Sequence, residues 1–195
     1  MRRSFKTILS VGIAAAMCLC LSACGNSSKD VKENPTEPSQ LKEQMTQDFK
    51  TKDGTYQITV DSDWKETDPY QNSESSLELE IGGGITILQI IKQSKQGLGY
   101  DLDGFSKEVV KYFTDNKELG NSAVESTEDT SCAGYKAIKN IIVTDEKTSG
   151  MKMITCHLSI ETDSDYVQFI ILSLDSNRDK VMEYTEQISN TLKAI

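Results

Sequence analysis

The chain has 195 residues, 37% hydrophobic and 26% charged, enough for one ordinary domain with short extensions. Arg2, Arg3 and Lys6 are three of its 21 basic residues, which leaves 18 against 30 acids, or −12, on everything after residue 24. An acidic body of this kind is repelled by nucleic-acid phosphates and by anionic lipid head groups, so neither is a direct partner.

Residues 1–24 have the three parts of an export signal: a basic start, the apolar run "ILSVGIAAAMCLCL" (8–21), and small residues before Cys24. The run is shorter than the ~20 apolar residues that a spanning helix needs. Leu21-Ser22-Ala23-Cys24 resembles the bacterial lipobox. That resemblance implies a diacylglyceryl thioether on Cys24 and cleavage between Ala23 and Cys24. Cysteine is required because only a thiolate is nucleophilic enough for that linkage. Two acyl chains matter too, since one chain binds a membrane only marginally. An ordinary secretory signal is the competing reading. Cys18 and Cys20 would leave with the signal.

Residues 24–48 are polar, of mixed charge, and contain Pro35 and Pro38, so they read as a flexible tether. As a coil it spans on the order of 27 Å. Leu41, Met45 and Phe49 have helical spacing and predict a short helix at its end. A globular domain is expected over 49–195. "TYQITV" (55–60) alternates after the turn pair Asp53-Gly54, and "SLELEI" (76–81), "GGG" and "ITILQIIKQ" (85–93) predict a hairpin. Phe105, Val109, Tyr112 and Phe113 form one stripe on a helix over 101–116, with Asp103 as its N-cap.

"SAVEST" (122–127) is a weak strand signal; 135–144, 151–160 and 166–174 are strong ones joined by short polar links. Short links favour antiparallel neighbours, because a parallel crossover needs a dozen or more residues. A closing helix over 177–193 carries Val181, Tyr184, Ile188 and Leu192, with Ser176 and Asp179 as a capping box. The fold class is α+β: a mainly antiparallel sheet with helices packed on it.

"DGTYQITVDSDWKETDP" (53–69) looks like the opening of PsbP-like and Mog1-like domains, where a Gly-aromatic strand runs into a small loop and a Trp. Element order agrees over nearly all of 49–195, although Asp61 stands where the family usually has Pro. The resemblance implies a three-layer α/β/α sandwich with a C-terminal helix packed on a central sheet. It also implies a non-catalytic accessory or partner-binding role.

His157 is the sole histidine, so any Ser-His or Cys-His chemistry must use it. Period-2 alternation sends Cys156 and His157 to opposite faces of one strand, which separates base from nucleophile. A cell-envelope hydrolase or redox enzyme using His157 and a cysteine is nonetheless the alternative function. A transporter's solute-binding component fits poorly, because one domain of this size lacks two lobes to close on a ligand. A hairpin centred near Lys147 would set Cys156 opposite Ile138 and keep Cys132 out of disulfide reach, leaving two buried free thiols. The acid pairs at 61/63, 101/103 and 163/165, with 125/128/129, lie at turns and element ends without calcium-loop spacing. No metal or cofactor is therefore expected. The expected partners are the membrane, through Cys24, and an unidentified protein or small ligand. Trp64 and Tyr70, in "DSDWKETDPYQNS", are the candidate contact residues; the competing reading has Trp64 plugging the sheet edge.

Overall fold

Residues 45–68, 75–147 and 149–195 are described by a computed structural model. Residues 1–44, with the export signal and Cys24, and residues 69–74, with Tyr70, lie outside the described residues.

Seven strands form the main sheet, in the order β3 (Lys65–Glu66), β4 (Leu77–Ile81), β5 (Thr86–Ser94), β9 (Asp165–Leu174), β8 (Lys152–Glu161), β7 (Tyr135–Glu146), β6 (Gly120–Cys132). Every neighbouring pair among them is antiparallel. After β5 the chain crosses the sheet through α1 (Leu102–Asp115), then returns strand by strand until β9 closes against β5. A second sheet sets β1 (Thr46–Lys50) and β10 (Lys193–Ala194) on either side of β2 (Tyr56–Asp61). A single 3-10 turn at Asp175–Asn177 leads into α2 (Arg178–Ser189).

The layers follow from side-chain parity. Ile154, Cys156, Leu158 and Ile160 of β8 face α2 and the small sheet, joining Ile58, Val60, Trp64, Val181 and Ile188 in the main core. The other face of the main sheet takes Phe105, Val109 and Phe113 of α1, packed with Ile142 and Tyr166. The result is the α+β, three-layer arrangement with a C-terminal helix on an antiparallel sheet. β8 and β9 are central and buried on both faces, so their sequences read as nearly continuous apolar runs.

Four local expectations differ from the structure, and one expected strand is longer than its signal. The helical spacing at Met45 and Phe49 belongs instead to strand β1, where Phe49 pairs with Ile58. One isolated helical turn has little to hold it, whereas a strand gains a ladder. The N-cap of α1 is Asp101, whose Oδ1 accepts from the Gly104 N–H at 2.8 Å; Asp103 lies in the first turn and pairs with Lys107 at 2.6 Å. No side chain caps α2; Arg178 bonds Asp175 there instead. The weak strand signal at 122–127 is the middle of a 13-residue strand. The β7–β8 hairpin closes later than Lys147, with Asp145 paired to Lys152, so Cys156 stands opposite Ile141. Cys132 belongs to β6 and faces Tyr135 across a two-residue turn, Ala133-Gly134, with φ of 51° and 84°. Both values are the positive ones that a type I′ hairpin turn requires.

Candidate functional site

β8 carries the two residues from which a catalytic pair could be built, and the fold keeps them apart. Cys156 lies in the core beneath α2, where burial raises its thiol pKa despite a bond with Thr185. His157 points the other way, fully buried, with the Phe113 ring at 6.3 Å. Burial pushes its pKa down to about 4; Gln168 beside it works weakly in the other direction and satisfies neither ring nitrogen. A neutral, sealed imidazole can neither receive substrate nor reach the thiol. Cys132 is buried as well, and burial pushes its pKa up to about 11. Both thiols are free.

His157 belongs to a polar patch on the α1 face. The side-chain amide of Gln93, the Ser159 hydroxyl and Gln168 Nε2 are also buried there without hydrogen-bond partners. Registers place Gln168 opposite Ser159 and His157 opposite Asn140. Asn140 is satisfied by Ser106 at 2.9 Å and Thr127 at 2.8 Å. Each orphaned group costs about 1–3 kcal/mol.

Trp64, a candidate for surface contact, is instead 1% exposed. Its ring meets Tyr184 edge-on at 5.3 Å, and its carbonyl accepts from Gln47 Nε2 at 2.6 Å. The reason is apolar area: the indole covers the core where β2 turns toward β3, which is the edge-plugging arrangement.

Next to this contact is an open cleft of about 170 Å³ between β1, β2 and α2. Val60 and Ile188, both buried, supply its apolar part, and Thr46, Thr59, Thr191 and Gln187 its polar part. Asp61 and Tyr184 complete the lining. Thr191 ties the two sides together: its hydroxyl accepts from the Thr59 N–H at 2.8 Å and donates to Ile188 O at 2.7 Å. Val60 and Ile188 show in the sequence as members of the strand and helix patterns, and Asp61, the last residue of β2, shows as an acid after the first long strand. Tyr184 shows in the sequence only as a member of the helix stripe, and the threonines carry no signal.

Several of the other acids have local duties. Arg178 bridges Glu125 and Asp175, each at 2.6 Å, and Glu128 pairs with Lys139. Asp165 accepts from Tyr56 at 3.0 Å and from Ser164 at 2.8 Å. Asp53, unremarked in the sequence beyond its turn, pairs with Lys92. No group of three or more metal-ligating side chains occurs among the described residues.

No protein family matches the chain, and no curated protein matches it significantly in sequence. Solved structures do match. Cyanobacterial PsbP from Synechocystis sp. PCC 6803 superposes with a TM-score of 0.57 at 10% identity, over 82% of this chain and 98% of its own. The fold is PsbP-like. LpqN of Mycobacterium tuberculosis, described as involved in cell envelope biogenesis, superposes at 0.55 with 13% identity, over 76% of this chain and 91% of its own. At such identities the likeness establishes the fold and assigns no residue of the PsbP-like domain a role.

Proposed function

We propose that this chain is a lipid-anchored accessory protein of the cell envelope, facing outside the cytoplasm and holding a protein or small-ligand partner near the membrane without catalysis. The location rests on Leu21-Ser22-Ala23-Cys24 at the end of an export signal. An envelope role is in keeping with the fold it shares with LpqN. Tether length and body charge fit this role, since an acidic domain on a polar linker stands off an anionic surface.

The observation that carries the non-catalytic half is the placement of His157 and Cys156 on opposite faces of β8, each sealed beneath a different helix. The alternative, an envelope hydrolase or redox enzyme using His157, needs that ring in a cleft, and Phe113 covers it. Proximity labelling from the anchored protein on intact cells tests the proposal. A reproducible set of extracytoplasmic neighbours is expected, and it should be lost when Cys24→Ala releases the protein. A catalytic activity abolished by a folded His157→Gln variant would overturn it.

A further inference from the structure

Charge and hydrogen-bonding inventory together say what the β1–β2–α2 cleft can hold. Its volume of about 170 Å³ is close to that of an engineered cavity of about 150 Å³ which takes one benzene molecule. It therefore has room to hold one side chain or a small organic cation. Most donors around it are already committed. The Thr59 hydroxyl donates to Asp48 at 2.6 Å, the Thr191 hydroxyl donates to backbone carbonyls, and Gln187 Nε2 donates to Glu183 at 3.0 Å.

What is left is the Thr46 and Tyr184 hydroxyls, which can donate or accept, and two groups that only accept. The Asp61 carboxylate makes no ion pair or side-chain hydrogen bond with the described residues, and the Gln187 amide keeps its carbonyl oxygen. The field at the cleft is negative as well. After burial, the carboxylates of Glu183, Asp61 and Asp63 are what raise the Tyr184 hydroxyl pKa. An aromatic wall, a short apolar floor and an uncommitted carboxylate form a receptor for a cation on an apolar stem.

We propose that this cleft is the partner-binding site and that its occupant is the side chain of a lysine or arginine presented by the partner protein. The stem would lie on Val60 and Ile188, with the charged head at Asp61 beside Tyr184. This rests on the accessory-binding reading above and names the chemistry of its partner. The rest of the chain favours the same sign, since residues after the signal carry 18 basic groups against 30 acids.

The test uses the mature-length soluble chain and three blocked amino acids as probes: N-acetyl-arginine amide, N-acetyl-lysine amide and N-acetyl-norleucine amide. Amide shifts at Thr46, Thr59, Gln187 and Thr191, with emission from the sole tryptophan beside Tyr184, report occupancy. The two cations are expected to saturate these signals and norleucine amide to leave them unchanged. Asp61→Asn should weaken the cations about tenfold or more, while Asp129→Asn, an equal charge change on exposed β6, should not.

Equal shifts from norleucine, or equal loss in both variants, would overturn the assignment. Butylamine binding as tightly as the blocked amino acids would show a site for free amines and overturn the protein side chain as occupant. On cells, Asp61→Asn should remove labelled neighbours from the anchored protein. If the neighbours persist in that variant, the cleft assignment fails while the accessory reading stands. If the wild type labels no reproducible neighbours but binds arginine amide, the accessory reading is what fails.

Discussion

The rings of Trp64 and Tyr184 meet edge-on at 5.3 Å, joining the end of β2 to α2 beside the open cleft. One residue of the pair is core and the other lines the cleft, so the cleft wall rests on the packing of Trp64. Trp64→Ala removes a fully buried indole and should cost about 3–5 kcal/mol in denaturant unfolding. Trp64→Phe should cost distinctly less, because the indole N–H has no hydrogen-bond partner to lose.

Stability should fall as pH drops from about 6.5 toward 4. The folded chain keeps His157 neutral down to about 4, whereas the unfolded chain protonates it near 6.5. The unfolded state therefore binds the extra proton across that window. The contribution is complete above 6.5, is lost progressively below it, and levels off under 4; its full size is on the order of 3 kcal/mol. His157→Leu should flatten that slope in urea titrations at stepped pH. Asp53 acts in a different window. Burial opposes its ionisation, but bonds from Lys92, Thr55 and Thr51 hold its carboxyl well below the usual carboxylate range. Its contribution is present above 3.8 and lost only in stronger acid.

Two glycines should answer differently to alanine. A Cβ on Gly120, at φ 129°, would sit 2.1 Å from the Asp145 carbonyl oxygen, so Gly120→Ala must displace the β6–β7 ladder at its start. A loss of about 3 kcal/mol or more is expected, in the range of strain and overpacking combined. Gly134, at φ 84°, has nothing within 4 Å of its Cβ position, and Gly134→Ala should cost only about 1–2 kcal/mol of left-handed strain. Thermal melts of the two variants check the ranking.

Cys132 and Cys156 should resist alkylation in the folded protein at pH 8, because both are buried and burial raises both thiol pKa values. Iodoacetamide should label both after denaturation without reductant, as read by intact mass.

Much of the sheet was legible because its central strands are long, apolar and bounded by short polar links. β6 was not: Val124 to Ser131 is exposed throughout and holds its place through backbone pairing with β7 rather than through a buried face. Alternation cannot reveal a strand with no inner face. β10 is two residues long, and β1 shows its partner only once β2 is placed, so register rather than pattern defines them. At the candidate site, the opposite facing of Cys156 and His157 follows from parity alone. Trp64 stood out by rarity, but its burial depends on Tyr184, a helix residue 120 positions away. The cleft depends on Thr59 meeting Thr191 across the fold, a pairing without local signature.

Lipid anchoring is tested most sharply by the mass of the mature N-terminus recovered from the membrane fraction of producing cells. A chain beginning at Cys24 with a diacylglyceryl group on its sulfur is expected, with a Cys24→Ala protein absent from that fraction. A mature chain that starts elsewhere, or an unmodified Cys24 in a protein still bound to membranes, would contradict the lipid anchor.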